Sequence, residues 1–285
     1  MVGIESSRKR RFIAGGAAAV GAAAAIGAFA FTGTANAGTA NAGAGADRFA
    51  KPTIVLEHGA FADASSWDGV IKELRHDGYP VVAAANPLRS PASDAASLRA
   101  LLNHIQGPVI LVGHSYGGSV ISEAAVGAAN VKALVYVAAF LPEPGESALQ
   151  LTNQFPGSTL PATLDPVAFT NADGTAGTDL YIQQDKFRHQ FAADVPANQA
   201  ALMAATQRPI AQAALTEKAT AAAWETIPSW DVVTTQDLNI PAAAQKFMAD
   251  RAHAHVTEVA ASHSVAVSHP DVVSDVVEKA ARATR

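Results

Sequence analysis

The 285-residue chain contains no cysteine, which removes disulfides, thiolate metal sites and a cysteine nucleophile together. Charged residues are also scarce, at 16%, and acidic ones outnumber basic ones to give a net charge of −5. A nucleic-acid binder needs a basic face, so no nucleic-acid partner is expected. Aromatic residues make up only 6%, and Trp67, Trp224 and Trp230 are too scattered to form a base-stacking platform. The glycine spacing of a dinucleotide or phosphate loop is missing, and His253 and His255 read as a chance pair on one side of a strand. Neither a metal nor a cofactor is expected. Apolar residues, in contrast, are 49% of the chain, enough for a substantial core.

The N-terminus has its own composition. Arg8-Lys9-Arg10-Arg11 precedes an Ala/Gly-rich apolar stretch over residues 12–31, and Ala35-Asn36-Ala37 follows as a small-residue cleavage pattern. Residues 1–37 are therefore expected to be an export signal of twin-arginine type, making the mature protein secreted or extracytoplasmic. So much alanine and glycine makes a poor bilayer anchor, and no stable membrane anchor is expected after cleavage. Residues 38–50 read as a flexible Gly/Ala/Asn leader.

From residue 51 onward, short apolar strands alternate with amphipathic helices. Strands are expected at 53–56, 81–84, 109–112 and 133–137, with helices starting at a Ser65/Asp68 capping box and running over 93–106. This alternation indicates a mostly parallel sheet covered by helices on both faces. The rhythm breaks over residues 141–227, where Pro142, Pro144, Pro161 and Pro166 mark an irregular entry. The later part is Ala-rich, with helices expected over 198–206 and 210–224. This segment, without strand signals, reads as a helical cap inserted before the last two strands. The alternation resumes at 230–234, 242–251 and 255–259, with a final helix after Pro270. Residues 51–285 are thus expected to be a single domain carrying the cap.

Chemistry enters at Gly113-His114-Ser115-Tyr116-Gly117, between an apolar β-branched run and a helix-like run. A serine on so sharp a turn has its hydroxyl pushed clear of the sheet, and only small residues two before and two after it allow that approach. The hydroxyl needs a base, and the base needs an orienting carboxylate. In open parallel sheets such groups gather at the carboxyl ends of strands. Asp237 follows the strand at 230–234 and His263 follows the one at 255–259. Glu143, Asp231 and Asp250 compete for the acid; His58, His114, His253, His255 and His269 compete for the base.

Four motifs carry a family resemblance: Glu57-His58-Gly59-Ala60-Phe61, the serine turn with Gly118, Thr235-Gln236-Asp237 with Ile240-Pro241, and Ser262-His263 with His269-Pro270. Residues 53 to the end resemble the α/β-hydrolase superfamily, and within it the small bacterial esterase-like members related to plant methyl-ester esterases and hydroxynitrile lyases. The resemblance implies an α/β-hydrolase fold lacking its usual first two strands. It also implies a serine hydrolase cleaving small to medium carboxylic esters or lactones. Ser115, His263 and Asp237 would form the triad, the N–H groups of Ala60 and Tyr116 the oxyanion hole, and Phe61 would touch substrate. For the first oxyanion donor, Phe61 is the alternative to Ala60. The related lyases carry a lysine after the catalytic histidine; Ser264 stands there instead and favours hydrolysis. A lyase-like enzyme, a C–C bond hydrolase and a non-catalytic binding relative are the competing readings.

Overall fold

The computed structural model describes residues 51–284, so the expected export signal (1–37) and leader (38–50) lie outside the described residues. The sheet is built from β1 (Thr53–Glu57), β2 (Val81–Ala84), β3 (Val109–His114), β4 (Val131–Val137), β8 (Ser229–Thr234) and β9 (His255–Val259). Its order is β2-β1-β3-β4-β8-β9, every pair parallel. The strand alternation sorts side chains onto two cores. Ile54, Leu56, Ile110, Val112, Val135 and Val137 face one side. There they meet Val70 and Leu74 of α1 (Asp68–His76) and Val273, Val276 and Val277 of the last helix (Pro270–Ala283). On the other side Val55, Leu111, Leu134 and Tyr136 pack with α2 (Pro91–His104), α3 (Tyr116–Ala124), α8 (Ala242–Arg251) and the cap.

Two helix starts differ from expectation. The Asp63 carboxylate, not Ser65, caps the first turn, accepting from the Ser65 amide at 2.8 Å. A single 3₁₀ turn over Ala64–Trp67 then leads into α1. The second helix starts at Pro91, where Ser90 Oγ accepts from the Ser93 amide at 3.1 Å. Proline at this first position costs nothing, since its missing N–H would have had no helical partner.

The cap requires a larger correction. Besides α4 (Ala148–Gln154), α5 (Gln184–Phe191), α6 (Ala197–Thr206) and α7 (Gln212–Thr216), it contains a three-stranded antiparallel sheet. Its strands are β5 (Leu164–Thr170), β6 (Ala176–Ile182) and β7 (Ile210–Ala211). The β5–β6 hairpin turns at Asn171 to Gly174, where Gly174 takes φ +86° and the Asn171 amide bonds the Thr175 carbonyl at 2.8 Å. Most of β5 is exposed, so no apolar periodicity announces it. Pro166 is tolerated because β5 is an edge strand. The helix expected over 210–224 is likewise cut short. Ile210 and Ala211 pair with β6, and the Ala219 backbone bonds the Gly145–Glu146 turn instead of continuing a helix.

Candidate active site

At the end of β3 the chain turns into α3 through Ser115, whose backbone is held at φ 55°, ψ −124°. Such a left-handed conformation is costly for a residue with a side chain and persists only when its surroundings fix it. The flanking glycines are part of that fixing. A Cβ on Gly113 would lie 2.7 Å from the Gly117 carbonyl oxygen, and one on Gly117 would lie 2.6 Å from that of Glu57. Neither position has room for a side chain.

The structure brings Ser115, His263 and Asp237 together. Ser115 Oγ lies 2.8 Å from His263 Nε2, and His263 Nδ1 lies 2.6 Å from Asp237 Oδ2. Asp237 accepts only, so Nδ1 carries a proton and Nε2 is left to accept from the serine hydroxyl. All three residues are buried. Asp237 Oδ1 takes the amides of Asn239 and Ile240 at 2.7 and 3.0 Å. Its Oδ2 takes Thr234 Oγ1 and Gln245 Nε2, each at 3.0 Å. Gln245 is held in turn by the Ile240 carbonyl at 2.8 Å.

Several of the competing residues are engaged elsewhere. Glu143 lies 3.4 Å from Arg251, and Asp231 is buried in mid-strand with neither oxygen bonded among the described residues. His58 Nε2 accepts from the Asn86 amide at 3.1 Å, so its Nδ1 donates to the Gly59 carbonyl at 2.9 Å and pins the turn before Ala60. Burial lowers the His58 pKa and favours this neutral form. His114 donates from Nε2 to the His263 carbonyl at 2.9 Å. Burial first, and the neighbouring His263 second, push His114 down to about 3, so it stays a neutral brace. His255 stacks on Trp230, with ring centroids 4.9 Å apart. Trp224 belongs to the core and donates to the Pro142 carbonyl at 3.1 Å.

The amides of Ala60 and Phe61 differ in their surroundings. The Phe61 amide is spent on the Arg208 carbonyl at 2.9 Å, which leaves Ala60 beside Ser115. The Tyr116 amide opens α3, where a helix offers no backbone acceptor. A cleft of about 590 Å³, mouth included, lies over these groups. Phe61, Leu149, Leu160 and Leu215 contribute to its apolar wall, and among the described residues no Asp, Glu, Lys or Arg lines it. Among the described residues no cluster of three His, Cys, Asp or Glu could hold a metal ion.

The cap grips the histidine loop from above, a feature that nothing in the local sequence pattern announces. Asp194, between α5 and α6, accepts from the Ser262 amide at 3.1 Å and from the Ser262 hydroxyl. The Phe191 carbonyl accepts from Ser264 Oγ at 2.8 Å, and the Phe191 ring meets the His263 ring edge-on at 5.0 Å. His263 is thus bracketed by two serines that the cap holds.

The chain is 27% identical over 259 residues to the alpha/beta hydrolase nvfD of Aspergillus novofumigatus, covering 81% of this chain and 97% of that protein. Among solved structures, polyneuridine aldehyde esterase superposes with a TM-score of 0.70 at 18% identity, covering 80% of this chain and 98% of that one. A pyrethroid hydrolase from Sphingobium faniae JZ-2 gives 0.65 at 23% identity, with coverage of 81% and 98%. A methylesterase from Arabidopsis gives 0.67 at 19%, with coverage of 81% and 99%. At these identities the structural likenesses establish the fold. The model of the alpha/beta hydrolase family matches residues 54–276, and the chain belongs to that family.

Proposed function

We propose that this chain is an exported serine esterase acting on small to medium uncharged carboxylic esters or lactones. The observation that carries this reading is the unbroken chain of short contacts from Ser115 through His263 to Asp237 at the floor of an apolar cleft. Ser115 Oγ attacks the substrate carbonyl while His263 Nε2 takes its proton. Asp237 holds the imidazole in the tautomer that leaves Nε2 free to accept. The Ala60 and Tyr116 amides receive the developing oxyanion, and Phe61 contributes to the apolar wall that excludes water. His263 then returns the proton to the departing alkoxide, and water releases the acyl group by the same steps in reverse.

Relatives named as esterases and as a pyrethroid hydrolase support hydrolysis of an ester. Ser264 supports it over lyase chemistry, because its hydroxyl is bonded to the Phe191 carbonyl and places no cation near a leaving anion. Replacing Ser115 with Ala should lower kcat on p-nitrophenyl esters by on the order of 10³-fold or more. A fluorophosphonate should label the wild type and not the variant. Near-full turnover in the variant would sink the proposal, and absence of labelling in the wild type would favour a binding protein.

A further inference from the structure

The cleft is lined by uncharged polar side chains as well as apolar ones. Ser158 and Asn239 both line it, together with Ser115. Their segments are tied together by the Thr159 amide, which donates to the Leu238 carbonyl at 3.0 Å. The orientation of the Asn239 amide follows from its neighbours. The Leu238 carbonyl can only accept, so the Gln190 atom 2.8 Å from it is the nitrogen Nε2. That same nitrogen lies 2.8 Å from Asn239, which must therefore present its oxygen there. The other end of Gln190 accepts from Thr159 Oγ1 at 2.8 Å, consistent with this orientation. Asn239 Nδ2 is left over. Neither it nor Ser158 Oγ has a hydrogen-bond partner among the described residues, and both atoms are shut off from solvent. With almost no accessible surface, the two atoms meet a ligand only where neighbouring side chains shift.

We propose that Asn239 Nδ2 and Ser158 Oγ form a subsite for a neutral acceptor oxygen, an ether or a carbonyl, carried on the apolar part of the substrate away from the scissile carbonyl. The inference rests on the esterase reading for the word substrate, and adds to it a chemical class. Asn239 Nδ2 can only donate, which requires an acceptor on the ligand. A carboxylate is excluded because among the described residues no Lys or Arg lines the cleft to offset its desolvation. A purely hydrocarbon ligand would leave that donor as unpaired as it is in the free protein and so gain nothing from it. Unpaired polar groups in a site are the means by which it rejects analogues lacking the matching atom.

Binding of N-alkylacetamides, which such an enzyme turns over negligibly, tests the subsite apart from catalysis. In a series of positional isomers, one chain methylene is replaced by an ether oxygen at successive positions, so desolvation of the oxygen is nearly constant. Calorimetry on the wild type should find one isomer bound about tenfold more tightly than the others. That contrast should fall below about threefold in Asn239→Leu and in Ser158→Ala. The serine variant guards against loss of folding, because Ser158 Oγ bonds nothing among the described residues. Equal affinities across the isomers in the wild type, or a contrast that survives in both variants, would overturn the subsite. Failure of the esterase reading shows separately, as no turnover of p-nitrophenyl esters, and leaves the isomer contrast readable.

Discussion

Asp231 and Asp237 lie on one strand and its exit loop, both buried, and their surroundings are opposite. Asp237 receives His263, Thr234, Gln245 and two backbone amides. Asp231, in the middle of β8, has both oxygens unpartnered among the described residues, and burial raises its pKa well above the ordinary value. The difference lies in where donors are free. Within a sheet the ladder consumes every backbone N–H, whereas a loop leaving a strand end still has N–H groups to offer. The donors that a buried carboxylate needs converge here just past the strand. Glu57, at the end of β1, falls between the two cases. Burial first, and the nearby Asp94 carboxylate second, push it up to about 8.

The largest effect should come from breaking the Asp237 side of the contrast. Asp237→Asn keeps the shape and removes the charge, and an amide nitrogen facing His263 would turn the imidazole to the wrong tautomer. A fall in kcat on the order of 10⁴-fold is expected, with KM little changed. Steady-state kinetics on a p-nitrophenyl ester checks this. A fall of less than tenfold would mean that Glu143 or another acid serves His263.

Glu57 tests the other side, through stability. Its folded pKa of about 8 lies above the ordinary 4.5, so the native protein holds a proton that the unfolded chain releases. Stability from this group is therefore full below pH 4.5 and is lost as pH rises toward 8. Glu57→Gln has no proton to lose and should be more stable than wild type by about 3 kcal/mol at pH 7. The advantage should vanish at pH 4. Denaturant unfolding at the two pH values measures it, and a gain that is equal at both would remove ionisation as the cause.

The sheet and the three residues of the candidate triad could be read from sequence for a shared physical reason. A buried parallel strand is a short β-branched run, and the turn at Ser115 is written in glycines that no other residue can replace. Asp237 and His263 stood out because they follow the last two strands, at the carboxyl ends where such groups gather in an open parallel sheet. What escaped is defined by pairing or by distant contacts. The β5–β6 hairpin is set by its ladder and by the Asn171–Gly174 turn, not by apolar content. Gln245 reaches Asp237 only because α8 folds back over the end of β8. The bond from the Phe61 amide to the Arg208 carbonyl escaped as well, because that carbonyl arrives from the cap.

Asp194 sharpens the contrast from a distance, since it lies 68 residues before Ser262 and no local pattern links the two. Burial pushes its pKa up, but the hydroxyls of Ser262 and Ser268 and the Ser262 amide outweigh that and hold it below its ordinary value. His269 Nε2 stands 3.7 Å away as a further partner. The carboxylate touches neither Ser115 nor the cleft; it acts on the loop that carries His263. Asp194→Ala should release that loop and misplace the imidazole, lowering kcat by on the order of tenfold. KM should hardly move, and the rate of fluorophosphonate labelling should fall in parallel with kcat. Asp194→Asn retains an acceptor for the Ser262 hydroxyl and should recover most of the loss. A rise in KM alone, with kcat and labelling unchanged, would instead place Asp194 in cap closure over the substrate rather than in positioning the base.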